Sequence, residues 1–436
     1  DNDVTVIDID HETVANINNE LEANGVVGHA SDPEVLYNAG ANDAELLIAV
    51  THEDEVNMVA CQVAHSLFNV PKKIARIRNQ TYLEPAWSNL FSRAHLPIDV
   101  IISPELEVAK AISQRLAVPG TTDAIPLAGG RAYVVGVVCE QDCPVVNTPL
   151  RQLPTLFPDL PIKIVCIVRD NQAYIPDEDN QIEIGDEAFF FVDSDHLKRA
   201  MTVFGHEEVE ARRIVIMGGG NIGSALARLV VNKYSGARLK MIERDHKKAE
   251  MLSAEFENLV VLEGDGLSRE LLEEANIART ETFISVTNDD EANILGCLLA
   301  KQYGCERTVA LMGKSSYVPL IHSMGIDVSV SPKAITVSSI MQYVRRGRIK
   351  SIHTLREGFA EIYEAQIVEG TEMVNKHLHD INLPPQVVMG MIVRGQDVFL
   401  PHEDFIIRPK DRVILLAAQG QGKKVEKLFS VKVELI

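Results

Sequence analysis

A repeat within the chain constrains its fold more than any other feature of the sequence. Four blocks in the first half align with four blocks in the second half, at offsets of 235, 236, 228 and 225 in chain order. They are residues 4–11 on 239–246, residues 47–57 on 283–293, residues 98–104 on 326–332, and Arg169, Pro176 and Asp186 on Arg394, Pro401 and Asp411. We therefore expect two half-chains of one architecture, each with a larger first lobe and a smaller second lobe.

The larger lobe has the pattern of a parallel sheet covered by helices. Short apolar runs rich in Val and Ile alternate with stretches of helical periodicity. In the first copy these runs span residues 4–9, 45–50, 73–77 and 99–102. Nearly continuous apolar strands joined by helices predict a doubly wound α/β domain. Helix starts are predicted at Pro33, Pro104 and Pro332, because each proline follows a Ser or Asp that can cap the helix.

The smaller lobe predicts a compact α+β module of short strands separated by turn residues. The predicted strands are residues 162–168, 174–175 and 187–192 in the first half, and residues 387–393, 398–400 and 412–417 in the second. The predicted fold class is therefore α/β, with two tandem Rossmann-like doubly wound domains, each followed by a small α+β lobe. The expected bounds are 1–102 and 211–330 for the Rossmann-like domains, 120–205 and 348–432 for the small lobes, and 203–212 for the linker.

The sharpest local motif is a glycine-rich turn in the second half. An apolar strand runs into Gly218-Gly-Gly220-Asn221-Ile222-Gly223, and an apolar helix follows. In such a dinucleotide-binding pattern Gly218 permits the tight turn, and Gly220 lets a pyrophosphate approach the backbone. Gly223 lets the helix and the strand pack closely. The sequence predicts a nucleotide site, and the alternative interpretation is a tight turn without a ligand.

Three side chains beyond this turn are predicted at the same carboxyl edge of the sheet. Glu243 ends the next strand, near the ~20-residue spacing of a carboxylate that holds an adenosine ribose, and an acid there favours NAD over NADP. Asp265 follows the third strand, where it either accepts from an adenine amino group or caps the helix before Leu267. Thr287 follows the fourth strand.

The first copy keeps this edge but has no glycine turn in the sequence given. Asp8 aligns with Glu243, His29 with Asp265, and Thr51 with Thr287. Residue 1 aligns with residue 236, so that the strand and turn at 213–236 have no counterpart. Because a doubly wound domain without its central strand exposes sheet edges, we expect the natural protein to carry about two dozen more residues upstream, with a glycine turn.

Two arginines distinguish the first copy. Arg76 and Arg78 end a strand, and because alternate residues of a strand share a face, both side chains are predicted to reach a phosphate at the carboxyl edge. The second copy has Leu311 and Gly313 at these positions. The two halves are therefore expected to bind different nucleotides, the first a more anionic one such as ATP and the second NAD. The alternative is that both arginines are solvent-exposed strand ends.

Composition excludes several classes of protein. The balance of 42 basic against 62 acidic residues gives a net charge of −20 and argues against a nucleic-acid partner. No apolar run approaches the ~18 residues of a membrane span. The six cysteines include no Cys-x-x-Cys pair, and we expect reduced core thiols of a cytosolic protein. We do not predict a zinc site at Cys139 and Cys143, the closest pair.

No catalytic constellation is found in the sequence, and we expect neither an enzyme nor a metal site. The histidines examined have no partnered Ser or Cys, and no His-Glu-x-x-His motif occurs. These histidines are His11, His52, His65, His246 and His322. A dehydrogenase also needs an acid or base facing the nicotinamide, and the small lobes offer no cleft for one.

Taken together, these motifs resemble the KTN/RCK family, the cytosolic regulatory subunits of bacterial potassium-uptake systems. The resemblance covers essentially the whole chain. It is carried by the tandem lobes, the glycine turn, the strand ends at 8–10 and 243–245, the Val-Thr pairs at 50–51 and 286–287, and the strand entries at 185–186 and 410–411.

The resemblance implies a regulatory function without catalysis. The glycine turn and Glu243 would hold NAD(H) in the second half, Asp8 would hold a ribose in the first half, and Arg76 and Arg78 would meet the phosphates of ATP or ADP. Such subunits form rings, here a homotetramer, that dock on the cytoplasmic face of a potassium-translocating membrane subunit. Two alternatives remain open, a soluble NAD-dependent oxidoreductase and a regulatory subunit of another cation transporter.

Overall fold

The computed structural model describes residues 3–170, 172–207, 211–234, 236–317, 321, 324–344, 349–355 and 358–430. Residues 208–210 of the predicted linker, His322, and residues 348, 356–357 and 431–432 of the second small lobe lie outside the described residues. The chain divides into two compact units, Asp1–Glu107 and Val108–Ile436.

The first unit contains the first large lobe, whose strands form two parallel sheets. One sheet pairs β1 with β2, and the other has the order β3-β4-β5. The strands are β1 (Thr5–Asp8), β2 (Asn24–Val27), β3 (Leu46–Ala49), β4 (Lys72–Arg76) and β5 (Val100–Ile102). The helices are α1 (His11–Glu20), α2 (Pro33–Asn38), α3 (Asp54–Phe68) and α4 (Pro104–Ala117), the last of which continues into the second unit.

Local capping explains where these helices begin. The Asp10 carboxylate accepts from the backbone N–H groups of Glu12 and Thr13 at the start of α1. Asp32 accepts from Glu34 N at the start of α2, where Pro33 occupies the first helical position. The predicted helix starts at Pro33, Pro104 and Pro332 are all confirmed.

The second large lobe is a single six-stranded parallel sheet of order β13-β12-β11-β14-β15-β16. This is the strand order of a dinucleotide-binding Rossmann fold, with the first strand of the lobe at the centre. The strands are β11 (Arg213–Met217), β12 (Arg238–Glu243), β13 (Leu259–Glu263), β14 (Thr282–Ser285), β15 (Arg307–Leu311) and β16 (Val328–Val330). The helices are α7 (Asn221–Lys233), α8 (His246–Glu255), α9 (Arg269–Glu274), α10 (Asp290–Gln302) and α11 (Pro332–Val344).

The two small lobes have the same five-stranded antiparallel topology, which confirms that the repeat extends through them. The first has the order β6-β7-β10-β8-β9 and the second β17-β18-β21-β19-β20. The first comprises β6 (Thr121–Leu127), β7 (Ala132–Val138), α5 (Leu153–Leu156), β8 (Ile162–Arg169), β9 (Gln172–Tyr174), β10 (Glu187–Asp193) and α6 (Leu197–Val203). The second comprises β17 (Ile349–Leu355), β18 (Ala360–Gln366), β19 (Val387–Arg394), β20 (Asp397–Phe399), β21 (Arg412–Ala418) and α12 (Gly422–Leu428).

An equivalent ion pair fixes the same corner of both small lobes. Arg169 donates from Nε and Nη2 to the two oxygens of Asp186, at 2.9 and 2.7 Å. Arg394 makes the same two bonds to Asp411, both at 2.8 Å. These four residues are the aligned Arg and Asp pairs of the sequence repeat.

The small lobes share a hydrophobic core that the sequence analysis did not anticipate. Phe189 and Phe191 of β10 pack in one cluster with Met391 of β19 and Leu416 of β21. Phe190, on the opposite face of β10, packs in the core of its own lobe. A Cβ atom on Gly390 would lie 2.3 Å from the Phe191 ring, so that the glycine permits the close approach of the sheets.

All six cysteines are free and buried, as predicted. Burial raises the pKa of the Cys61 thiol to about 12 and that of Cys305 to about 11, as expected for core thiols. None of the helices among the described residues combines the length and the hydropathy of a membrane span.

Candidate nucleotide-binding site

The glycine turn of the second large lobe closes tightly between β11 and α7. Gly218 has a φ of +107°, which favours glycine, and its N–H donates to Ile242 O at 2.9 Å. A Cβ atom on Gly223 would lie 1.9 Å from the Gly218 carbonyl oxygen. The packing of the protein itself therefore requires glycine at 218 and 223.

Gly220 differs, because no contact with the described part of the chain requires it to be glycine. A Cβ atom at this position would meet no atom within 4 Å, and its φ of −68° suits any residue. Gly220 is the N-cap of α7 and has no side chain that could cap the helix, whose first residues are Asn221, Ile222 and Gly223. Open space beside unpaired N–H donors at a helix N-terminus fits a phosphate group.

Glu243 holds this turn in place. Its Oε2 atom accepts from Gly219 N at 2.7 Å, and its Oε1 atom accepts from Asp245 N at 2.8 Å. Each carboxylate oxygen has further lone pairs, so that the predicted ribose contact is compatible with these bonds. In the first lobe Asp8 accepts in the same way from Asp10 N, at 2.9 Å.

Thr287 lies beside the turn and is fixed by a buried asparagine. Asn293 Oδ1 accepts from Thr287 N at 2.9 Å and from Thr287 Oγ1 at 2.7 Å. Asn293 Nδ2 donates to Thr287 O at 3.1 Å and to Leu311 O at 2.9 Å. The side chain thereby joins the ends of β14 and β15, next to the Gly218 backbone.

The first lobe contains the same arrangement. Asn57 Oδ1 accepts from Thr51 N and Oγ1, both at 2.8 Å. Asn57 Nδ2 donates to Thr51 O at 3.1 Å and to Arg76 O at 2.9 Å. Asn57 and Asn293 are both fully buried. Neither asparagine is among the residues predicted from the sequence, although each ends the aligned block of the repeat, where a polar residue on an apolar helix face is a usable signal.

A second matched pair of side chains holds the loop after the next strand. The Asp54 carboxylate accepts from Arg78 N at 3.0 Å and Asn79 N at 2.8 Å. The Asp290 carboxylate accepts from Gly313 N and Lys314 N, both at 2.8 Å. Asp54 and Asp290 are not among the residues predicted from the sequence, because acids are common in the first turn of any helix.

Asp265 stabilises its own turn. Its Oδ1 atom accepts from Leu267 N at 3.0 Å, and its carbonyl oxygen accepts from Ser268 N, also at 3.0 Å. These bonds close a turn and do not cap α9, because the N-cap of that helix is Ser268, whose Oγ atom accepts from Leu271 N at 3.3 Å. The side chain is exposed at the carboxyl edge, and a role in adenine recognition stays a prediction. His29, its counterpart, makes a 2.8 Å bond through Nδ1 with Ser31 Oγ.

The two arginines of the first lobe are held differently. Arg76 Nη2 donates to Thr51 O at 2.8 Å, and its buried Nε has no hydrogen-bond partner within the part of the chain that the structure describes. Burial lowers the pKa of Arg76, and the charge of Arg78 adds to this effect. Arg78 Nε donates to the buried Glu105 carboxylate at 2.8 Å. Arg76 is thus the arginine whose donors fit an additional anion.

Comparison with known proteins places these features in a family. Residues 1–104 and 214–332 match the TrkA-N domain, and residues 362–430 match the TrkA-C domain. The Trk system potassium uptake protein TrkA of Azorhizobium caulinodans is 46% identical, covering 99% of this chain and 94% of that protein. The protein of the same name from Vibrio alginolyticus is 38% identical, covering 98% of this chain and 93% of that protein.

Solved structures share the fold. The GsuK channel matches with a TM-score of 0.61 and 19% identity, covering 96% of this chain and 73% of that chain. The GsuK channel bound to NAD matches with a TM-score of 0.57 and 18% identity, covering 98% of this chain and 74% of that chain. These likenesses confirm the predicted tandem Rossmann-like architecture.

Proposed function

We infer the function from one premise: this chain belongs to the TrkA family of Trk system potassium uptake proteins. We propose that it is a nucleotide-binding regulatory subunit that controls K⁺ flux through a membrane partner. The curated relatives bear the name of a transport system, and the chain covers almost their full length.

The observation that carries the proposal is the open space beside Gly220, at the uncapped start of α7. A dinucleotide pyrophosphate placed there would meet backbone N–H donors and the positive end of the helix dipole. Glu243 lies at the end of the neighbouring strand and would hold the ribose. An acid at that position disfavours a 2′-phosphate, so that NAD(H) is the proposed ligand of the second large lobe.

We propose that the first large lobe binds a more anionic nucleotide, ATP or ADP. The unpartnered Nε of Arg76 supports this assignment, because a buried guanidinium donor is stabilised by an anionic acceptor. Asp8 would hold the ribose, and Thr51 would line the edge as Thr287 does in the second lobe. Arg78 contributes less, because Glu105 already balances its charge.

Regulation of this kind needs differential binding and no chemical step. A ligand that binds two conformations of the protein unequally shifts their populations by that difference, and ~1–3 kcal/mol is a typical coupling. We propose that the subunit acts in a homotetrameric ring, peripheral on the cytoplasmic face of the inner membrane. Its partner would be an integral membrane potassium-translocating subunit of the TrkH or TrkG type.

The experiment is a titration of the full-length protein with NADH, NAD⁺ and ATP, followed by calorimetry and by nicotinamide absorbance over time. We expect binding without oxidation of NADH, and nucleotide-dependent K⁺ flux when the protein is reconstituted with its membrane partner. Turnover of NADH with a substrate panel would instead indicate an oxidoreductase. A K⁺ flux that changes with neither NAD(H) nor ATP would contradict the regulatory role.

A further inference from the structure

The second small lobe brings two histidines and an aspartate together at its surface. Leu378 N donates to Phe405 O at 3.0 Å, and His379 N donates to Glu403 O at 3.1 Å. This pairing of two chain segments sets His377 and His379 beside Asp404. One potential ligand atom from each of the three side chains lies within 4.8 Å of the others.

Backbone carbonyls fix the tautomer of both neutral rings. His377 Nδ1 lies 3.1 Å from Asp404 O, and His379 Nδ1 lies 3.0 Å from Glu403 O. A carbonyl oxygen only accepts, so each neutral ring carries its hydrogen on Nδ1 and presents a lone pair on Nε2. Hydrogen bonds of this kind orient the histidine ligands of metal sites. The rings also stack, with centroids 5.3 Å apart and 16° between their planes.

Carboxylates surround the outer histidine. His379 Nε2 lies 3.4 Å from Asp380 Oδ1, and His379 Nδ1 lies 4.0 Å from Asp404 Oδ1. A lone pair on Nε2 that faces a carboxylate oxygen is unfavourable unless a cation lies between them. The cation is either a proton on the ring or a bound metal ion.

In the first small lobe, an arginine side chain forms an ion pair with the carboxylate equivalent to that of Asp404. Leu150 N donates to Asn180 O at 3.0 Å, and Arg151 N donates to Glu178 O at 2.9 Å, as their counterparts do in the second lobe. In this register Arg151 replaces His379, and its guanidinium forms an ion pair with Asp179, the counterpart of Asp404.

We propose that His377, His379 and Asp404, with Asp380 at the edge, form a binding site for a divalent transition-metal ion of the Zn²⁺ class. Imidazole nitrogen combined with carboxylate oxygen suits Zn²⁺, Co²⁺ and Ni²⁺, whereas Mg²⁺ and Ca²⁺ prefer oxygen ligands throughout. The exposure of His379 and Asp404 leaves coordination positions for water. Such an ion would join the two paired segments of this lobe, a role separate from nucleotide binding.

The test uses the full-length protein with Zn²⁺ for calorimetry and Co²⁺ for absorption spectroscopy. The variant His379→Arg introduces the residue of the first lobe, and Asp179→Asn is the matched control outside the site. We expect wild type and the control to bind one more Zn²⁺ per chain than His379→Arg, or at least tenfold more tightly. The Co²⁺ spectrum should show nitrogen and oxygen ligands without a thiolate band.

Three outcomes would overturn the proposal. Equal Zn²⁺ binding by wild type and His379→Arg would show that His379 is not part of a metal site. A thiolate band would show that the metal binds to cysteines instead. Protonation of His379 in a wild type that takes up no Zn²⁺ would identify the cation as a proton. Circular dichroism of each variant would show that any loss of binding does not reflect misfolding, and His377→Gln provides an independent second variant.

Discussion

The two large lobes share a frame and differ in the groups that face a ligand. In both lobes one helix carries a buried asparagine that joins two strand ends. In both, an acid in the first turn of that helix accepts from the backbone of the loop after the second of these strands. In the second large lobe, β11 lies at the centre of one six-stranded sheet, and the glycine turn follows it. The first lobe has Arg76 and Arg78 where the second has Leu311 and Gly313. The repeat therefore preserves the scaffold and varies the anion-binding groups.

The shared frame predicts the largest effect. Replacing Asn293 by Ala leaves several buried backbone groups without partners and should cost about 3–4 kcal/mol of local stability. Asn57→Ala should cost the first lobe a similar amount. Hydrogen exchange followed by mass spectrometry would report protection of β14 and β3 separately. If only one of the two substitutions lowered protection in its own lobe, the two asparagines would not be equivalent.

A smaller effect is expected from the glycine turn. Gly223→Ala places a Cβ atom 1.9 Å from the Gly218 oxygen, so that α7 must shift, at about 1–3 kcal/mol. Thermal unfolding and NADH binding should both weaken. Gly236→Ala is the matched control, because a Cβ atom there meets nothing within 4 Å. Unchanged stability of Gly223→Ala would mean that helix and strand are not closely packed.

The arginines sharpen the difference between the lobes. Arg76→Gln should weaken ATP binding about tenfold, ~1.4 kcal/mol, because a charged donor to a phosphate is lost. Arg78→Gln should have less effect, since Glu105 already holds that side chain. Calorimetric titration of both variants with ATP and NADH measures this. Equal losses for the two variants, or a loss of NADH binding, would contradict the assignment of ATP to the first lobe.

The smallest effect concerns His246 and Glu263, an exposed pair in the second large lobe. The hydrogen bond that His246 Nδ1 donates to the Glu263 carboxylate raises the pKa of His246, and the charge of the same carboxylate adds to this effect. Because the folded-state pKa is raised, the stabilisation is fully present below the unfolded-state pKa and is lost as the pH rises through the folded-state pKa. Glu263→Gln should lower the pKa of His246 in an NMR titration. An unchanged pKa would show that the pair does not form in solution.

The sequence predicted the fold well because the repeat and the apolar strands are local patterns. It did not predict the shared core of the small lobes, although β10 buries both faces. Phe189 and Phe191 point towards the other sheet, and an alternating pattern cannot reveal which surface covers a second apolar face.

Site residues were predictable where the backbone imposes them and less so elsewhere. Gly218 and Gly223 are required by a positive φ and a close contact, which leave a sequence motif. Asn57 and Asn293 act through contacts with residues distant in the chain. The pairing of His377 and His379 with Asp404 likewise depends on two segments that only the folded lobe brings together.

The most direct test of the account is NADH binding by the wild-type protein and by Gly220→Val. A Cβ atom at this position meets no described atom of the protein within 4 Å, so that we expect folding and ATP binding to be unchanged. It would occupy the place proposed for the pyrophosphate, and NADH affinity should fall at least tenfold. A Gly220→Val protein that binds NADH as tightly as wild type would contradict the claim that this turn is the nucleotide site.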